Sequence, residues 1–320
     1  MTAHQPIRPA ILALGEAMLE FNQARGATPE DYLRGFGGDT SNMVIAAARL
    51  AAGPDAHVGY ATRVGNDAFG RMLLDLWRDE GVDTQAVAID DGAPTGVYFV
   101  THGPAGHEFS YLRSGSAASR MSPSTLPLEI IESCRLLHVS GISQAISASA
   151  CDAVFAAIDA AKTAGARISY DSNLRLKLWP LPRARAVIMA TIARCDWFLP
   201  SFDEAKALSG QDDAEAIVDW CHALGAPVVA LKCGAAGVIV SDGRRSESIA
   251  GHVVQCIDAT GAGDCFDGAF AARVLAGDSP FAAARYANAA AALATTGFGA
   301  VAPLPRDADV QALLAREAAA

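Results

Sequence analysis

Lysine is scarce in this chain. Only four occur, the first at Lys162, and none follows a glycine, so no Gly-Lys-Ser/Thr phosphate loop is present. A phosphorylated ligand would have to be held by backbone N–H groups and arginine instead. The seven cysteines include no Cys-x-x-Cys pair, and their odd number fits reduced thiols in a cytoplasm rather than a disulfide framework. The seven histidines include no His-x-x-x-His pair, so no zinc site of that pattern is visible. No apolar run reaches 18 residues, and the Ala-rich stretch from Phe281 to Thr296 is interrupted by Arg285 and Asn288, which predicts a packed helix rather than a membrane span. Met1 to Pro9 is polar and lacks the apolar core of a signal peptide. A net charge of -10 and a pI near 5.1 argue against a nucleic-acid-binding surface. No Gly-x-Gly-x-x-Gly follows the first apolar run, which makes a dehydrogenase a poor fit. These absences leave a cytoplasmic, soluble enzyme of small molecules as the expectation.

What is present is core. With 320 residues, 51% hydrophobic and 19% charged, the chain can form one large α/β domain or two smaller ones. Ala10–Gly15, His57–Gly65, Arg135–Gly141, Ala166–Tyr170, Trp197–Pro200 and Pro227–Lys232 read as strands. Helical stretches such as Asp67–Glu80, Ala148–Ala164 and Ala214–Leu224 alternate with them, which predicts a mostly parallel sheet covered on both faces. Glu16–Phe21 alternates roughly, as a half-exposed strand would. Thr95–Val100 and Glu108–Arg113 are two further strand-like runs joined by the turn sequence Gly103-Pro104-Ala105-Gly106. Side chains alternate faces in a strand, so Phe109, Tyr111 and Arg113 are expected on one face. Ala308–Ala320 reads as a fraying terminal helix.

One stretch organises the rest: Asp258-Ala259-Thr260-Gly261-Ala262-Gly263-Asp264, followed by Phe266, Phe270 and Val274 at helical spacing and stopped near Gly277. Glycines at a helix entrance let the backbone approach a ligand, and the first turn offers unpaired N–H groups and partial positive charge to an anion. Asp264 is a carboxylate in that turn, which suits a base for phosphoryl transfer; the alternative is an N-capping Asp. Upstream, Gly37-Gly38-Asp39-Thr40-Ser41-Asn42 is a glycine turn opening a second helix, where Asp39 or Thr40 could equally be caps.

The first stretch resembles the C-terminal signature of the ribokinase-like (PfkB) carbohydrate kinases, with glycines and both aspartates in register, and Gly-Gly-Asp-x-x-Asn resembles their N-terminal signature. The resemblance spans about Gly15 to Ala300. It implies a three-layer α/β/α fold with a mostly parallel sheet, a single kinase domain over residues 1–320, and a small β lid formed by about 16–36 and 94–114. It further implies that Asp264 takes the acceptor hydroxyl's proton, that Gly261, Ala262 and Gly263 form the anion hole, and that Gly38, Asp39 and Asn42 contact the sugar. Leu231-Lys232-Cys233-Gly234-Ala235-Ala236-Gly237 resembles the turn beside ATP, so Lys232, Gly234 and Gly237 are expected at the nucleotide; the alternative is an ordinary hairpin turn. Asn288 and Gly299 fall where the family closes over adenine. The family's Asn-x-x-Glu motif stands here as Ser201-Phe202-Asp203-Glu204, with Ser201 in place of Asn and Glu204 reaching Mg2+ through water. A K+ ion near Asp258, as in some relatives, and a homodimer through the lid are also implied.

Tyr111-Leu112-Arg113-Ser114-Gly115-Ser116-Ala117-Ala118-Ser119 and Asp171-Ser172-Asn173-Leu174-Arg175-Leu176-Lys177-Leu178-Trp179 are similar to runs of 2-keto-3-deoxygluconate kinases. An acidic sugar carries a permanent carboxylate, and arginine grips a carboxylate with two charge-assisted hydrogen bonds. By this resemblance Arg113 and Arg175 contact the acid, and Tyr98 and Tyr111 line the pocket. The bland alternatives are an exposed edge charge for Arg113, pairing with Asp171 for Arg175, and lid packing for the tyrosines. A family member acting on a neutral sugar (fructokinase or ribokinase) and a catalytically silent regulator on the same fold remain rivals.

Overall fold

The computed structural model describes residues 9–23, 31–51, 56–103 and 106–318. Thirteen strands are found among them: β1 (Ile11–Leu14), β2 (Met18–Gln23), β3 (Tyr32–Gly37), β4 (Val58–Gly65), β5 (Val87–Asp90), β6 (Val97–Gly103), β7 (Gly106–Leu112), β8 (Leu136–Ser140), β9 (Arg167–Asp171), β10 (Trp197–Phe198), β11 (Val228–Lys232), β12 (Gly237–Ser241) and β13 (Ser246–Ala250). Nine form one sheet in the order β13-β12-β11-β10-β9-β8-β1-β4-β5, parallel from β5 to β11 and antiparallel at β12 and β13. The other four form a smaller sheet, β3-β2-β6-β7.

The apolar runs are continuous because both faces of the large sheet are covered. In β1, Ile11 and Ala13 enter one core cluster, while Leu12 and Leu14 enter the other. That is period-two alternation with no polar side. One cluster includes residues of helices Asp39–Leu50, Ala262–Leu275 and Pro280–Ala294; the other includes residues of helices Ala148–Thr163, Leu181–Ile192 and Ala214–Ala223. No helix among the described residues is long and apolar enough to cross a membrane.

Two features of this frame position the site. From β1 the chain adds β4 and β5 on one side, then returns to place β8, β9, β10 and β11 on the other. The strand order therefore reverses between β1 and β8, where open α/β sheets leave a crevice at the strands' carboxyl ends. The second feature is Gly268, where an added Cβ would overlap the Met43 carbonyl and come within 2.8 Å of the Ala46 side chain. Its missing side chain lets helices Asp39–Leu50 and Ala262–Leu275 press together.

The smaller sheet matches the expected lid segments, apart from residues 24–30 and the turn residues Pro104 and Ala105, which lie outside the described residues. Glu16–Phe21 departs from expectation. It is not half-exposed: Glu16 and Glu20 are buried because both carboxylates turn inward to partners on other segments.

Candidate active site

Helix Ala262–Leu275 opens on Gly261, whose φ of 77° is left-handed and whose side chain can offer no cap. Asp264 is therefore not an N-cap. Its carboxylate accepts a 2.8 Å hydrogen bond from the Asn42 amide on the neighbouring helix. Asp39 is the first residue of that neighbouring helix, and Gly38 (φ 123°) holds the cap position without a side-chain bond, so neither Asp39 nor Thr40 caps it. A Cβ on Gly38 would come within 2.8 Å of the Ala17 Cα, so only glycine brings the Asp39 turn this close to the strand ends. The Asp39 carboxylate accepts from Asn173 at 3.1 Å.

Asp39 and Asp264 thus face one crevice, each partly open to solvent. Burial pushes the Asp264 carboxyl up to about 7, with the Asp39 charge adding to the shift and the Asn42 hydrogen bond opposing it. Burial also raises Asp39, to about 6, against bonds from Ser140 and the Thr40 backbone. A carboxylate so raised is a competent proton acceptor near neutral pH.

The glycine turn before Asp264 partly satisfies its own backbone. Ala262 N–H donates to the Ala259 carbonyl at 3.2 Å, within the turn itself. Gly263 is little crowded: the one atom within 4 Å of an added Cβ is the Lys232 ammonium nitrogen, at 3.5 Å. Asp258 braces the loop by accepting from Thr260 N–H and hydroxyl (3.0 and 2.7 Å) and from Gly299 N–H (3.0 Å). Among the described residues no cluster of His, Cys, Asp and Glu could hold a metal by itself. A divalent ion carried largely by nucleotide oxygens is compatible with that.

On the other wall, Arg113 is not the exposed edge charge that β7 suggests. It lies just past the strand, is 8% exposed, and its guanidinium pairs with Glu16, which also accepts from Ser116 at 2.5 Å. Phe109 and Tyr111 are exposed while Arg113 is buried, although Arg113 still lies 5.9 Å from the Tyr111 ring centre. Tyr98 donates to Glu20 and stacks on Tyr111 at 5.7 Å, contacts within the small sheet.

Arg175 does not pair with Asp171. Its Nη1 bonds Glu204 at 3.0 Å and the Leu174 carbonyl at 3.0 Å, and its side chain stays 49% exposed. Glu204 also accepts from Ser172 at 2.7 Å, and burial raises its carboxyl. Ser201 precedes helix Phe202–Ser209 and bridges to Lys232 in the sheet. Gly234 (φ 59°) sits in the turn between antiparallel β11 and β12 and Gly237 (φ 104°) opens β12, so this segment is a hairpin turn. Asn288 donates to the Ala250 carbonyl at 2.8 Å and is buried there.

Residues 9–307 match the family model of the pfkB family carbohydrate kinases. The chain belongs to that family. Among PfkB relatives, it is 34% identical to 2-dehydro-3-deoxygluconokinase of Thermoproteus tenax, over 94% of this chain and 93% of the other. It is equally 34% identical to fructokinase-1 of Zea mays, over 96% and 98%. A solved structure of a candidate ribokinase II of E. coli, in complex with ATP and Mg2+, superposes with a TM-score of 0.87 at 26% identity, over 96% and 99%. The present PfkB kinase therefore has relatives with both acidic and neutral sugars in their names.

Sequence reading missed several residues of this site. Glu16 and Glu20 looked like the polar side of a strand, and Asp267 looked like one more helix residue. The available signal was a pair of carboxylates inside a run otherwise apolar enough to be buried.

Proposed function

We propose that this PfkB kinase transfers the γ-phosphoryl of ATP to the terminal hydroxyl of 2-keto-3-deoxygluconate, giving the 6-phosphate. The observation that carries the chemistry is Asp264: a raised carboxylate in a glycine-opened helix turn, held by Asn42 and facing Asp39 across the crevice. ATP supplies the phosphoryl group, and Mg2+ offsets part of its charge. Asp264 accepts the hydroxyl proton as the new bond forms. The N–H groups of Gly261 and Gly263 and the helix start stabilise the charge that develops above them. Asp39 and Asn42 orient the acceptor, and the smaller sheet acts as a lid that excludes water.

The acidic substrate is supported by Arg175, which stays half-exposed beside Glu204 and can turn its remaining N–H groups to a carboxylate. A neutral sugar is the second reading, favoured by Arg113, whose charge Glu16 already neutralises. Initial rates of ADP formation with 2-keto-3-deoxygluconate, its galactonate epimer, fructose and ribose separate them. Preference for the keto acids supports the proposal; preference for fructose or ribose transfers it to the second reading. The lid also exposes Leu33 and Leu112, both at 66%, and pairing of two lids would cover them; sedimentation of the purified protein tests this.

A further inference from the structure

Lys232 ends β11 beneath the helix of Asp264. Its ammonium bonds both oxygens of Asp267, at 3.0 and 3.2 Å, and one of Asp171, at 3.3 Å. Asp267 is 1% exposed and Asp171 5%, so three charges are held almost out of water. Three elements are tied at one point: β9 through Asp171, β11 through Lys232, and helix Ala262–Leu275 through Asp267. Asp267 lies three residues after Asp264, on the same side of the helix and one turn deeper. The ammonium also lies 3.5 Å from where a Gly263 side chain would begin, directly behind the backbone that opens the anion cradle.

As a stabilising device this arrangement is poor. Buried ion pairs rarely outperform apolar packing of the same volume, and burial pushes the Asp267 carboxyl well above the ordinary carboxylate range even against the Lys232 ammonium. Its position suits an electrostatic task better. We propose that Lys232 and Asp267 are positioning residues for Asp264, their brace fixing the helix's first turn and setting the charge felt by the base. The inference rests on Asp264 being the base, and is independent of which sugar is phosphorylated.

The other charges around Asp264 are Asp39 from helix Asp39–Leu50, Asp171 from β9 and Arg175 just beyond it, with Tyr98 from β6 and Cys265 as weakly acidic neighbours. Around Lys232 lie Glu204 from helix Phe202–Ser209 and His138 from β8. Burial pushes His138 down to about 4, so it is neutral at working pH. Lys232→Met also takes the ammonium away from Asp171, Glu204 and His138, whereas Asp267→Asn leaves them their cation.

The test is the pH profile of kcat/KM for wild type, Asp267→Asn, Lys232→Met and the double variant, using the best sugar found. Removing the Asp267 charge makes Asp264 easier to ionise, so the acid limb moves to lower pH. Removing the Lys232 charge moves it to higher pH, and the double variant returns towards wild type. Each single shift is expected to be about half a unit or more. Shifts of the same sign, or no shift, overturn the inference, since loosened packing would lower activity without opposite pH effects. Should Lys232→Met fail to fold, Asp267→Asn and the double variant still decide: an unmoved limb in the former overturns it. Asp264→Asn measured in parallel keeps the two readings apart. Normal turnover there sinks the base itself, whereas lost turnover with unmoved limbs in the brace variants sinks only the brace.

Discussion

Asn42 and Asp264, 222 positions apart in sequence, meet at 2.8 Å, the amide donating to the carboxylate. The contact joins the two glycine-opened helix starts into one site. It exists because Gly268 lets those helices touch one turn further along.

Asp264→Asn should lower kcat by about 10²–10⁴-fold, the usual range for loss of a general base. The asparagine can still accept from Asn42, so circular dichroism and sugar binding should be retained. Wild-type turnover in a folded variant would remove Asp264 from the chemistry.

The acid limb of kcat/KM should fall as pH drops through about 7, where Asp264 gains its proton in the free enzyme. A profile flat down to pH 5 would contradict this. Stability should run the other way. Between the ordinary carboxylate range and about 7 the native state binds a proton that the unfolded chain does not, so this group's contribution to stability falls as pH rises through that window. Asp264→Asn should therefore raise Tm at pH 8 and change it less at pH 5, as thermal denaturation would reveal.

Gly268→Val would drive a side chain into the Met43 carbonyl and the Ala46 side chain. Overpacking of this kind typically costs about 1–3 kcal/mol. Urea denaturation should show a lower midpoint, and activity should fall with it because the Asn42–Asp264 contact is stretched. Gly277→Ala, at a helix end where φ is 102° and nothing lies within 4 Å of an added Cβ, should cost some stability through backbone strain while leaving activity near wild type.

The two arginines should separate in their effects. Arg113→Ala leaves Glu16 buried without its cation, a change that usually costs about 3–5 kcal/mol, so it should destabilise whichever sugar is used. Arg175 is half-exposed, so Arg175→Ala should leave Tm nearly unchanged while raising KM for a keto acid and not for fructose. Equal KM changes for both sugars would argue against Arg175 as the carboxylate ligand.

Much of this was legible in the sequence. Continuous apolar runs such as Ile11–Leu14 can be buried only between two helical layers, and the glycines before Asp39 and Asp264 announce helix starts. The lid strands were readable from Thr95–Val100 and Glu108–Arg113, whose β-branched and aromatic content is a local signal. Local pattern failed at Glu16 and Glu20, because alternation cannot distinguish water from a buried partner.

The sequence by itself determined the main alternation of strands and helices, since periodicity and turn chemistry act within a few residues, and its resemblance to the family made Asp39, Asn42 and Asp264 candidates. Only the tertiary structure decided which charge pairs with which: Arg113 with Glu16, Arg175 with Glu204 rather than Asp171, Lys232 with Asp267 and Asp171. The physical reason is that Coulomb attraction and desolvation depend on distance through the folded interior, and separation along the chain does not set that distance.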